Sequence, residues 1–176
     1  MKVRNMVLCA LFAALLCLCA WISLPAGDVA FTLQTFGVFL TLGLLGGKQG
    51  VVSILIYLLL GAVGLPVFSG FRGGVGILLG PSGGYLFGFL VAGLIFWLVS
   101  ACLAESKLRL LIASVSGLLA LYATGTIWFS VLYVPPGTSL SLIAILGKYV
   151  LPYILPDGLK LSLALFLTRK LKPFVY

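Results

Sequence analysis

Apolar residues run along this chain in long blocks, separated by single charges or small charge clusters. Residues 5–27, 29–47, 49–71, 73–104 and 110–147 carry no charge, and the twenty residues between Lys148 and Arg169 carry only Asp157 and Lys160. A helix needs roughly 20 residues to cross a bilayer, so each block can hold one. The blocks show no alternation of period two, which argues for helices over a barrel. The pattern predicts an all-α integral membrane protein with six transmembrane helices, near 5–24, 31–47, 49–65, 82–103, 110–133 and 151–170. A glycine-rich outer loop joins helices 3 and 4. Pro135, Pro136 and Gly137 break the long block, and the piece from Thr138 to Gly147 is too short to span, so a short interfacial segment is expected before helix 6. No polar linker divides the chain, which predicts a single polytopic membrane domain over 1–176.

Composition agrees: 62% of the 176 residues are apolar and 8% charged, against about 25% charged in soluble domains. With six spans, Lys2, Arg4, Lys48, Lys107, Arg109, Arg169, Lys170 and Lys172 fall on one side, and Arg72 and Lys148 on the other. By the positive-inside rule both termini are cytoplasmic, and the formal charge of +8 reads as a topology signal rather than a nucleic-acid surface. The first apolar run continues to Leu24 without a small-residue cleavage site, unlike a secretory signal. Cys9, Cys17, Cys19 and Cys102 form no CxxC motif and read as small packing residues.

The residue types exclude most catalysis. There is no histidine, and the acids are Asp28, Glu105 and Asp157, too few for a metal site or a Ser-His-Asp triad. Ser162 lies on a different helical face from Lys160, and Walker motifs are absent. The chain is expected to be a transport subunit, not an enzyme, with no cofactor of its own; any ATP would be used by partner ATPases. Asp157 and Lys160 carry the chemistry. Ionisable groups within a span are costly and mark substrate or ion sites. Pro152 and Pro156 predict that the last helix begins at Asp157, making it the N-cap with Lys160 on nearby surface.

Eleven of the 22 glycines lie between Gly61 and Gly93, and Gly76, Gly80, Gly84 and Gly88 recur every four residues. Gly84 and Gly88 suit close helix packing. Gly70, Gly73, Gly74, Gly80 and Gly83, mixed with Pro66 and Pro81, predict a folded loop dipping toward the membrane, able to serve as a lid. Arg72 within it reads either as a charge snorkelling to lipid phosphate or as an anion clamp.

The stretch YLLLGAVGLPVFSG, followed by RGG and GPSGGYLFGF, the earlier FTLQTFGVFL and the late LPYILPDGLKLSLA together resemble the BioY family, the biotin-specific substrate-binding (S) subunits of energy-coupling factor (ECF) transporters. The resemblance covers nearly the whole chain. It implies high-affinity biotin binding near the outer face of a prokaryotic plasma membrane, and partnership with a transmembrane coupling protein and two cytoplasmic ATPases. Asp157 and Lys160 match the family's Asp-x-x-Lys signature, with the carboxylate accepting from the ureido N–H groups of biotin and Lys160 holding it charged or donating to a ligand oxygen. Arg72, Gln34 and Tyr85 are implied as further contacts, and Gly73 and Gly74, with Gly80 and Gly83, as shaping the loop and admitting backbone contact. Ala10 and Ala14 resemble the family's Ala-x-x-x-Ala docking motif for the coupling protein; packing on another helix of this chain fits equally. The chain departs from the pattern at Pro156 and Gly158, where a glycine and a leucine are expected around the acid. The alternatives are an S subunit for another vitamin, a self-contained proton-coupled carrier using Asp157 and Lys160, and an intramembrane enzyme.

Overall fold

Helices follow the apolar blocks in the computed structural model, which describes residues 3–24, 30–106, 108–133, 145–147 and 150–175. They are α1 (Val3–Trp21), α2 (Gln34–Ala62), α3 (Val75–Leu78), α4 (Gly83–Cys102), α5 (Arg109–Leu132) and α6 (Leu151–Val175). All but α3 are long and apolar enough to cross a membrane, five in number where six spans were expected. The difference lies in α2, which takes in both expected spans 31–47 and 49–65.

α2 is not straight. In an unbroken helix Gln34 and Tyr57 would stand about 34 Å apart at 1.5 Å per residue, yet Gln34 Nε2 donates to Tyr57 Oη at 2.7 Å. A Cβ placed on Gly50 would likewise come within 3.0 Å of Leu42 Cα. The helix therefore doubles back on itself, and the only non-helical residue inside it is Gly46, at φ 78° and ψ 168°. Side chains are essentially excluded from that conformation, at a cost of roughly 1–3 kcal/mol. Gly46→Ala is expected to lower stability by about that amount, read as a fall in the apparent unfolding midpoint of the detergent-solubilised protein. An unchanged midpoint would mean that the packing of the two arms, not the residue at the bend, fixes the reversal.

α2 occupies the centre and packs against α1, α4 and α6, while α4 and α5 form the tightest pair. Small residues make that pairing possible: a Cβ on Gly84 would strike Trp128, and one on Gly88 would strike Leu121. This is the close packing expected for those two glycines. Outward-facing positions stay apolar, among them Leu11 and Leu18 on α1, Val115, Leu119 and Ile127 on α5, and Leu159, Leu163 and Phe166 on α6. Such a surface suits lipid, and the protein is a multi-pass membrane protein.

Three expectations need correction. The first helix stops at Trp21, and Ser23 and Leu24 pair with Thr32 and Phe31 in a two-stranded antiparallel hairpin, β1 (Ser23–Leu24) and β2 (Phe31–Thr32). α6 begins at Leu151 rather than Asp157, so Asp157 lies inside the helix and is not its N-cap. Pro152 stands at its second position, where a missing N–H is harmless, whereas Pro156 lies inside the helix, where proline gives up an N–H bond and crowds the carbonyl four residues back at a cost of about 3 kcal/mol. Finally, Cys9, Cys17 and Cys19 are buried as expected, but Cys102 is exposed at the end of α4. Of the expected interfacial segment only 145–147 is described, as helix with Ile145 buried; the rest of it lies outside the described residues.

Candidate functional site

One cavity opens between the glycine-rich connection, the β2 end of α2, and the facing walls of α4, α5 and α6. Asp157, Lys160, Arg72, Gln34 and Tyr85 all line it. Its cavity volume is about 80 Å³, narrower than the roughly 300–1,000 Å³ usual for small-molecule sites.

Asp157 is its electrostatic centre and is 4% exposed. Lys160 Nζ donates to Oδ1 at 2.9 Å, a pairing that the i,i+3 spacing on α6 delivers directly. Tyr122 Oη, on α5, donates to Oδ2 at 2.8 Å. α5 and α6 otherwise approach only loosely, so this bond spans the cavity wall. Each carboxylate oxygen has a second lone-pair site, which leaves Asp157 able to accept from a ligand while both internal donors stay in place. Lys160 also lies 5.7 Å from the centroid of Phe31, and that ring stacks on Tyr153 at 4.2 Å. The short hairpin thus seals one side of the charge pair with aromatic surface.

Gln34 sits at the start of α2, where Thr32 Oγ1 accepts its backbone N–H at 3.2 Å. Its amide nitrogen is committed to Tyr57, which leaves Oε1 as the acceptor at the cavity. Tyr85 lies against α5 where Gly125 makes room: a Cβ there would meet the ring at 2.4 Å.

The loop over the cavity is pinned rather than loose. Phe68 is buried edge-on to Tyr57, 5.5 Å between centroids, over Gly61, where a Cβ would fall 1.9 Å from the Phe68 ring. The 68–72 turn closes with Phe68 N–H donating to Arg72 O at 2.9 Å. Trp21 Nε1 donates to Pro66 O at 2.8 Å and its ring stacks on Phe71. From α5, Trp128 Nε1 donates to Gly80 O at 3.1 Å and Tyr133 Oη donates to Leu79 O. Arg72 is exposed at the mouth with Nε on Ser69 O at 3.1 Å, which leaves the terminal nitrogens of its fork for an anion.

Gly73 and Gly74, expected among the ligand contacts, do not line the cavity. Gly73 backs onto the Leu65 carbonyl, and Gly74, at φ 94°, donates its N–H to Gly61 O at 2.7 Å; both shape the loop instead. Ala10 and Ala14 lie elsewhere, exposed on one face of α1. Tyr122 and Phe31 were missed, because a lone tyrosine in an apolar span and a phenylalanine in a strand carry no local sign of their partners.

The arrangement has an acidic, donor-accepting end at Asp157, an aromatic and apolar middle, and a cationic mouth. The BioY family model matches residues 1–176. The chain is 46% identical over 122 residues to the biotin transporter BioY of Thermotoga maritima, 69% of this chain and 72% of that one. It is 42% identical over 172 residues to a probable biotin transporter BioY of Pyrococcus horikoshii, 98% of each. The crystal structure of an S-component for biotin from an ECF-type ABC transporter superposes with a TM-score of 0.83 at 27% identity, covering 98% of this chain and 92% of that one. A second bacterial ECF S component, 14% identical with a TM-score of 0.65, shares the fold. With its whole length matched and its fold shared, the chain belongs to the BioY family.

Proposed function

We propose that this chain is the high-affinity biotin-binding S subunit of an ECF-type transporter and serves biotin uptake. The observation that carries the reading is the buried Asp157 carboxylate, held by Tyr122 and Lys160 at one end of a cavity whose mouth bears Arg72. Biotin has the matching order of groups: ureido N–H donors, an apolar bicycle and a carboxylate tail. Asp157 accepts from the ureido N–H groups, with Gln34 Oε1 as a further acceptor. Tyr85 and the rings around Lys160 flank the bicycle, and Arg72 pairs the tail.

The chain has no ATPase motif, and the energy comes from two cytoplasmic ATPases acting through a transmembrane coupling protein. Ala10 and Ala14 form the docking face, their small exposed side chains admitting close helix approach. Lys48, Arg109, Arg169 and Lys172 gather around one end of the bundle, which supports a cytoplasmic position for that end and both termini in a prokaryotic plasma membrane.

Calorimetric titration of the detergent-purified chain with biotin, with thiamine as control, tests the reading. Saturable heat with biotin alone is expected; no heat with biotin in a folded sample would overturn it. Tyr122→Phe is expected to weaken biotin binding about five- to thirtyfold, since one hydrogen bond to a charged group contributes about 1.5–3 kcal/mol and part is recovered by the ligand. Affinity unchanged in that variant would mean that Lys160 alone orients the carboxylate.

A further inference from the structure

At the end of the bundle opposite Asp157, a second crevice lies between the bend of α2, the C-terminal end of α4, the start of α5 and the end of α6. Lys48, Arg109, Arg169 and Lys172 line it, from three different helices, with Glu105 the one acid among the described residues on its wall. Glu105 pairs with Arg109 at 3.2 Å, and cations outnumber acids among the described residues of the wall. Thr168 lines the same crevice but is 1% exposed, its hydroxyl packed against Gly43 of α2. Beside the mouth, Leu94, Trp97 and Leu98 of α4 form an exposed apolar strip along the membrane-facing surface.

We propose that this crevice binds the glycerophosphate headgroup of an anionic phospholipid, with the acyl chains lying along the α4 strip. The phosphate supplies acceptor oxygens for the basic side chains. The adjoining apolar strip favours a lipid over a soluble anion, and basic pockets between membrane helices are suited to such headgroups. The site is separate from the Asp157 cavity and shares no lining residue with it.

Native mass spectrometry of the full chain, released from detergent containing equal phosphatidylglycerol and phosphatidylcholine, tests this. One phosphatidylglycerol should be retained in preference to phosphatidylcholine, and Arg169→Gln with Lys172→Gln should cut that preference at least fivefold, from about 1 kcal/mol per basic residue. Lys170→Gln, set against Lys172→Gln alone, is the charge-matched control: Lys170 lies over the Phe166 ring at 4.8 Å and does not line the crevice, so retention should hold. Circular dichroism and monodisperse elution verify that each variant is folded. Competition by millimolar inorganic phosphate as effective as by the lipid would support the anion site but assign it to a soluble ligand. Equal retention of the two lipids, or an equal loss in Lys170→Gln, would overturn the proposal.

Discussion

Asp157→Ala should abolish biotin binding at concentrations that saturate the unaltered chain, and Asp157→Asn should weaken it at least tenfold. The asymmetry follows from what each leaves behind. Alanine strands Lys160, whose side chain is 15% exposed, and removing one partner of a buried ion pair costs about 3–5 kcal/mol. It also leaves the Tyr122 phenol without its acceptor. Asparagine keeps the shape and one acceptor but turns its nitrogen toward one of two donors, and it loses the charge-assisted bonds worth about 1.5–3 kcal/mol each. At 1.4 kcal/mol per decade, one such bond already gives the tenfold change. Calorimetric titration with a parallel unfolding curve separates the effects. Asp157→Asn with Lys160→Met should recover folding stability without recovering affinity, because the buried charge is gone but the acceptor is not restored. Biotin bound by Asp157→Asn within threefold of the unaltered chain would place the ureido ring elsewhere in the cavity.

Local patterns could be read from sequence, and long-range pairings could not. The apolar blocks located α4, α5 and the outer limits of the other spans within a few residues, because lipid demands length and continuity from every helix. Asp157 and Lys160 stood out because charge inside a span is rare, and their i,i+3 spacing foretold their contact. Their acidic end of the site was half hidden, since Tyr122 lies 35 residues from Asp157 in an apolar stretch where a tyrosine reads as packing. The reversal in α2 was placed at Lys48, the charge, whereas Gly46 makes it through a backbone conformation that no side-chain pattern announces. The prolines misled for a related reason: Pro152 and Pro156 read as helix breakers, yet Pro152 falls in the first turn of α6, where proline costs little, and the helix continues through Pro156. Gly73 and Gly76 mark the limit most clearly: three residues apart in one glycine-rich stretch, they differ in what a Cβ would meet, the Leu65 carbonyl at one and open space at the other.

That difference yields the second large effect, at Gly83. A Cβ there would sit 1.8 Å from the Leu78 carbonyl oxygen and 2.6 Å from its carbon. Backbone cannot rotate aside as a side chain can, so either α4 must start later or the 78–80 segment must lift. The segment is held from α5 by Trp128 on Gly80 and Tyr133 on Leu79, and lifting it breaks both bonds. Gly83→Ala should therefore destabilise the fold by about 1–3 kcal/mol, the usual range for overpacking. It should also cost at least tenfold in biotin affinity, because Ser82 and Tyr85, on either side, line the cavity. Gly73→Ala should act similarly through the Leu65 carbonyl, 2.1 Å from its Cβ. Gly76→Ala is the counterpart: nothing lies within 4 Å of its Cβ, and alanine in a helix gains about 0.5–1 kcal/mol over glycine, so α3 should be unchanged or slightly firmer. Unfolding midpoints and biotin titrations on the three variants decide the matter. If Gly83→Ala kept both its midpoint and its affinity, the loop would be free to ride over the cavity, and the aromatic bonds that pin it would have no part in holding the site closed.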